Sequence, residues 1–268
     1  MPDSCYPTGA VGDTACEKLL IINADDYGYS AGVSAGIRLA HRHGIVSSTS
    51  VMTTMPAAAS ELTRLRSEAP TLGVGVHLSV TEGRPFRLPR FWAPGQLTFP
   101  LAEVAATELR AEWQAQIDAL LATGLPLTHL DSHHHAAYRH ANALAVLFDL
   151  ARAHGVPVRN PYPIGDPAAD ALAGAFAEAG VRCPQHFVDV FDKPPMATAL
   201  ATAIEALPAG TTEFMCHPGL ADDDLHKASP ACAGVRAEEL AALTSAENRT
   251  RIAKLGIRLV SFSSLPVC

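Results

Sequence analysis

A chain of 268 residues with 48% apolar and 18% charged side chains can bury one substantial core without staples, which excludes a disordered segment or a disulfide scaffold. Its formal charge of −7, from 27 acidic and 20 basic residues, comes with no run of Lys or Arg able to track a phosphate backbone, which excludes nucleic acid as a partner. The six cysteines are scattered without a CxxC pair, a pattern of reduced thiols that points to the cytoplasm.

Residues 1–17 read as a flexible tail, with neither the basic nor the apolar part of a leader, and no later apolar run approaches the ~20 residues of a membrane span. A single catalytic domain is expected over residues 18–268. Its first element, KLLIINA from Lys18 to Ala24, is a continuous apolar run that suits a strand covered on both faces. It ends in Asp25-Asp26-Tyr27-Gly28. Ser30 then offers an N-cap, Val33, Ile37 and Leu39 give a helical stripe, and Gly44 supplies the stop.

The same alternation recurs along the chain. VSSTSVMT precedes PAAASELTRLRS, and LGVGVHLS precedes a long loop and a helix from Leu101 to Leu121. LTHLDS leads into a helix through Ala153; VPVRN, VRCPQHFVDV and TEFMCHPG follow, and IRLVSF closes the chain. Strands alternating with helices in seven or eight units predict an α/β fold, an irregular (β/α) TIM-like barrel of about seven parallel strands, with a doubly wound open sheet as the second choice. The loop from Thr81 to Pro100 exceeds ordinary connection lengths and is a candidate lid or substrate wall. RAEELAALTSAENRTRIAKLG reads as an amphipathic outer helix interrupted near Thr244-Ser245, and Asp222-Asp223-Asp224 as a solvated acidic loop.

In parallel α/β folds the site forms at the carboxyl ends of the strands. Five strands deliver titratable groups there: Asp25 and Asp26, His77, Asp131 with His133, Arg159, and His217. Adjacent carboxylates at a strand end point apart, so one can ligate a metal while the other faces the attacking water. Successive residues of His133-His134-His135 also point apart; His133 is favoured as a ligand because it comes first after the strand, Asp131 is available to orient an imidazole, and His135 is the rival ligand. Two imidazoles and a carboxylate leave open positions on a divalent ion, the arrangement of a catalytic metal, whose bound water has a pKa lowered toward ~7. Asp25 is placed as the base and His217 as the acid for the leaving group, while Arg159 either orients Asp25 or forms an ordinary salt bridge. His129, His140, His154, His186 and His226 lack such a context and read as structural or exposed.

LIINADDYG, GVHLSVTEGRP, THLDSHHH, EFMCHPG and the closing ELAALTS and IAKLGIRLVSF together resemble the YdjC-like carbohydrate deacetylase family, which includes chitooligosaccharide deacetylases and hopanoid-biosynthesis-associated members. The resemblance runs in order from Lys18 to Phe262. It implies a metal-dependent hydrolase that removes the N-acetyl group of an amino sugar or oligosaccharide and releases acetate. By the same resemblance Asp26, His77 and His133 hold one divalent ion, Zn2+ or Mg2+, Asp25 is the general base, and His217 the general acid. Asp131, His135 and Arg159 are then substrate contacts or supports of the ligands. The chain departs from the family in AAYRHANA after the histidine run and in SPACAGVR, which lacks a tyrosine before Arg236. The expected partner is a small N-acetylated carbohydrate, with a homodimer as an admissible assembly. The competing readings are a metal-dependent phosphoesterase or cyclic amidohydrolase on the same barrel, and a non-catalytic sugar-binding barrel.

Overall fold

A computed structural model describes residues 17–89, 101–190, 195–228 and 230–265, so nearly all of the expected tail and part of the Thr81–Pro100 loop lie outside the described residues. Among the described residues seven strands form one parallel sheet: β1 (Lys18–Tyr27), β2 (Ser48–Val51), β3 (Gly73–Leu78), β4 (Leu130–Ser132), β5 (His186–Asp189), β6 (Gly210–Cys216) and β7 (Arg258–Leu259). Their order is β4-β3-β2-β1-β6-β5, with β7 also on β1. Helices connect them: α1 (Ala31–His43), α2 (Ala58–Glu68), α3 (Ala106–Leu121), α4 (Ala141–His154), α5 (Pro167–Ala179), α6 (Met196–Glu205), α7 (Asp223–Ala228), α8 (Pro230–Thr244) and α9 (Ala246–Lys254). This is the irregular, incompletely closed barrel expected of the alternating pattern.

The irregularity is local. VPVRN is no strand of its own: Val158 makes a single parallel bridge to Leu130 at the β4 edge, which is enough to aim Arg159 inward. The expected helix from Leu101 opens as a short 3-10 turn and becomes α3 only at Ala106. β1 runs three residues beyond Ala24, so Asp25 and Asp26 belong to the strand and not to a loop after it. The outer helix does break after Thr244, where the Ser245 side chain caps α9 by accepting the Glu247 N–H.

The core lies between sheet and helices. Leu20, Ile21, Ile22 and Ala24 of β1 are fully buried, and Ile37, Trp113, Ile117 and Leu147 pack from the helices, each at the inward positions of its own stripe. Asp222 is less solvated than expected, because its carboxylate accepts the N–H groups of Gly32 and Leu225 and ties the loop after β6 to α1. Cys183, Cys216 and Cys232 are in no disulfide. No helix among the described residues is long and apolar enough to cross a membrane.

His129 is a structural histidine. Its ring stacks on Phe262 with centroids 3.9 Å apart, and a Cβ on Gly75 would lie 2.4 Å from it, so β3 needs glycine at that position. Burial pushes the imidazole down to about 4. A neutral histidine whose folded pKa is depressed stabilises the protein above its unfolded pKa of 6.5, and that contribution is lost as pH falls from 6.5 toward 4. His129→Phe is therefore expected to remove about 3 kcal/mol of the stability difference between pH 7.5 and pH 4.5. Urea unfolding of both proteins at the two pH values measures it; parallel acid limbs would refute the assignment.

Candidate metal and acid–base centre

The site grows out of a break in β1. The register of β1 against β2 shifts between Ala24 and Tyr27, and Asp26 adopts φ 70, a left-handed conformation that side chains other than glycine seldom take. The break turns the adjacent carboxylates in different directions.

Asp25 turns toward Arg159. Arg159 Nη1 donates to Asp25 Oδ2 and Nη2 to Asp25 Oδ1, both at 2.7 Å, and Asn23 Nδ2 adds a third bond at 2.8 Å. Burial alone would raise the Asp25 pKa, but the guanidinium overrides it and holds the carboxyl below the usual carboxylate range. The same guanidinium lies 3.1 Å from Asp131 Oδ2 and 2.7 Å from Glu213 Oε1, and all four side chains are at most 2% exposed. Glu213 is the acid least well served, and burial pushes it up to about 7.

Asp26 turns the other way. Arg236 of α8 donates to its Oδ2 at 2.5 Å, while Oδ1 has no hydrogen bond and faces His133 Nδ1 at 3.4 Å and His77 Nε2 at 3.6 Å. Burial again opposes ionisation, and Arg236 and His133 hold the carboxyl well below its ordinary value. His77 Nδ1 donates to Asp131 Oδ1 at 2.8 Å, so Nε2 is the nitrogen turned toward Asp26, 3.6 Å from its Oδ1. Asp131 thus orients His77, not the His133 beside it in sequence. Burial would lower the His77 pKa, but Asp131 and Asp25 raise it to about 9: the surrounding carboxylates favour a cation there.

Ligand atoms of Asp26, His77 and His133 all lie within 4.8 Å of one another. His135 is not in that group. His134 and His135 both have φ 54, which swings the run away after His133 and leaves the His135 ring edge-on to Tyr138 and Phe187. Asp25, His77 and Asp131 meet the same distance limit, but both of those carboxylates are already paired with Arg159. The donor set fits a divalent cation. Asp26 Oδ1, the oxygen that faces both imidazoles, is buried without a hydrogen-bond partner, and the carboxylates of Asp25, Asp26 and Asp131 draw positive charge to the point between them.

His217 follows β6 at the same end. Its N–H donates to Glu239 on α8, its carbonyl accepts from Arg236 Nη1 at 3.4 Å, and burial lowers its pKa against the pull of Asp26 and Asp25. Glu239 is itself pushed up by burial to about 8. Sequence reasoning missed three of these residues as site members. Arg236 and Glu239 look like the polar face of an outer helix, and nothing in the helical period marks them as inward. Glu213 did carry a signal, since a carboxylate inside a buried strand requires a buried partner.

The chain is similar to known proteins over most of its length. The model of the family described as YdjC-like protein matches residues 19–254. A protein of Geobacillus stearothermophilus named carbohydrate deacetylase is 34% identical over 91% of this chain and 97% of its own, and one of Vibrio vulnificus with the same name is 35% identical over 92% and 96%. A crystal structure from Enterococcus faecalis V583, of a protein named for cellobiose-phosphate cleavage, superposes with a TM-score of 0.84 at 31% identity, covering 92% of this chain and 98% of that one. A family 4 carbohydrate esterase of Streptomyces lividans shares the fold at a TM-score of 0.53 and 13% identity, covering 91% and 93% of the two chains.

Removing the guanidinium at the centre leaves buried carboxylates uncompensated. Arg159→Met is expected to lower unfolding free energy by about 3–5 kcal/mol at pH 7.5. The loss should shrink as pH is lowered and the freed carboxyls take up protons. Chemical denaturation against pH reads this, and a pH-independent loss would show that packing rather than charge was removed.

Proposed function

Because this chain belongs to the YdjC-like protein family, we propose that it is a metal-dependent carbohydrate N-deacetylase, hydrolysing the acetamide of an amino sugar or oligosaccharide and releasing acetate. One observation carries the reading: Asp26 Oδ1, His77 Nε2 and His133 Nδ1 face a common point, with the ionised Asp25 beside them, in a chain about one-third identical to proteins named carbohydrate deacetylase.

Asp26, His77 and His133 would hold the ion. A divalent cation supplies Lewis acidity there, polarising the acetamide oxygen and making the attacking water more acidic. Asp25 accepts the proton of that water. Its Oδ2 lies 3.8 Å from His77 Nε2, on the side of the ligands, and Arg159 fixes the orientation of the carboxylate. His217 gives a proton to the departing amine; an imidazole whose pKa is lowered by burial is, once protonated, the stronger acid. Arg236 keeps Asp26 Oδ2 occupied, so Oδ1 alone is offered to the ion. A phosphoesterase reading is disfavoured because, among the described residues, both arginines of the centre are already paired with carboxylates and none is spare for a phosphate. Six scattered cysteines without a CxxC pair suit a reducing compartment, and on that composition we assign the protein to the cytoplasm.

Acetate release from N-acetylated mono- and oligosaccharides tests the reaction class. Activity is expected to disappear on chelation, to return with Zn2+ or Mg2+, and to fall by about 10²–10⁴-fold in Asp25→Asn. Chelation-resistant activity would remove the ion from the mechanism. The ligand set is tested without turnover by titrating Co2+ into the apoprotein and following its visible absorption. Arg236→Met is expected to weaken Co2+ binding by about 10–100-fold. His133→Ala should abolish the signal and His135→Ala should spare it. The reverse order would make His135 the ligand.

A further inference from the structure

Beyond β3 the chain is tied down to an unusual degree. Ser79 N–H donates to Gln116 Oε1 at 2.9 Å, and Gln116 Nε2 donates back to the Ser79 carbonyl at 2.7 Å. Arg84 N–H donates to the Thr54 carbonyl at 2.8 Å. Glu112 of α3, fully buried, then takes the backbone N–H groups of Phe86, Arg87 and Leu88 on its carboxylate, with Gln116 Nε2 as a further donor. No ion pair to Glu112 is present among the described residues. Burying a carboxylate with amide donors alone is costly, and an apolar residue in its place would hold α3 to the sheet as well or better. What the carboxylate achieves is immobilisation of the backbone of a surface segment, where loops are ordinarily mobile.

The segment displays an aromatic ring. Phe86 is 45% exposed, while the other exposed large hydrophobics among the described residues are all aliphatic. It is flanked by exposed Arg84 and Arg87. A lone exposed apolar side chain is ordinary; one on a backbone pinned by a buried charge is not. Its place in the fold is also defined. Thr81 Oγ1 lies 3.3 Å from His134 Nδ1, whose ring lies against that of His133 with centroids 3.9 Å apart and planes tilted by 31°. Phe86 is five positions on from Thr81, a reach of at most ~18 Å. Phe86 therefore stands within a few sugar rings of the metal ligands.

We infer that Phe86, held by Glu112, is a stacking platform for the sugar ring next to the one that loses its acetyl group, an inference that rests on the deacetylase reading of the centre. A pyranose presents a C–H face that an aromatic ring can cover, and its hydroxyl edge remains open to donors such as Arg84 and Arg87. The occupant is a neighbouring ring of a neutral oligosaccharide. A monosaccharide substrate never reaches the platform.

The test compares acetate release from N-acetylglucosamine and its β-linked disaccharide. Phe86→Ala is expected to raise the disaccharide KM about tenfold, the equivalent of one stacked ring, with kcat and all monosaccharide constants unchanged. Phe86→Tyr should restore the disaccharide KM. Glu112→Gln should speed amide hydrogen exchange at Phe86, Arg87 and Leu88 and raise the same KM. Equal disaccharide KM values in wild type and Phe86→Ala, or equal losses on both sugars, would overturn the platform while leaving the deacetylase reading intact. Failure of the wild type to release acetate from any sugar, with calorimetric binding of the disaccharide still lost in Phe86→Ala, would overturn that reading and leave the platform standing.

Discussion

The Arg159 guanidinium is the charge on which the centre depends. It is fully buried and touches Asp25 from β1, Asp131 from β4 and Glu213 from β6, strands that are not all neighbours in the sheet. Each of these carboxylates would be several kcal/mol unfavourable alone in the interior. Arginine is suited to the position because its planar fork pairs both oxygens of Asp25 and still has an Nε–H for Glu213, which a lysine ammonium could not match. The pairing is also transmitted. Asp131 carries it to His77 Nδ1, His77 Nε2 then faces Asp26, and the orientation of a proposed metal ligand is set two contacts away from the guanidinium.

Asp26 depends on a second constraint, in the backbone. A left-handed φ on a side-chain-bearing residue costs about 1–3 kcal/mol and persists only where its surroundings enforce it. Arg236 enforces it from α8, and packing does so from α1: a Cβ on Gly36 would lie 2.6 Å from Gly219 Cα, so the helix rests directly on the chain just after His217. Leu220 N–H donates to the Gly32 carbonyl and Asp222 accepts the Gly32 N–H, closing the same contact in both directions. The turn that splits Asp25 from Asp26 and the turn that carries His217 are therefore fixed against one another. Nothing in the spacing of their residues required that.

The parts legible in sequence were those governed by chain direction. A buried parallel strand puts its last residues at one end of the sheet, so Asp25, Asp26, His77, Asp131, Arg159 and His217 could be placed without knowing any partner. Partners were another matter. Asp131 was expected to serve an imidazole, but the one it serves is 54 positions away on β3 and not two away in the histidine run. Arg236 and Glu239 were hidden because a helical charge usually faces solvent, whereas both are buried against Asp26 and His217. Asp222 looked like one of three solvated acids, and a backbone N–H from a distant helix makes it otherwise. Pairwise geometry at this range depends on register and bulges, and a one-residue shift in β1 would exchange the roles of Asp25 and Asp26.

Not every buried polar atom without a partner marks a site; Ser48 Oγ and Trp113 Nε1 lack one as well. The centre differs in how its shortfall is arranged. Asp26 Oδ1 faces one nitrogen of each of two imidazoles, and no donor reaches it, while its other oxygen is saturated by Arg236. A structural ion-pair network reduces its own electrostatic cost by balancing charge, as Arg38 and Arg64 do with Glu61 and Glu68. Here the fold satisfies Asp25 and leaves Asp26 incomplete, although the two are adjacent and almost equally buried. Packing treats both residues alike, so it cannot explain the difference. The proposed division of labour, a finished carboxylate at Asp25 and an open coordination position at Asp26, accounts for it.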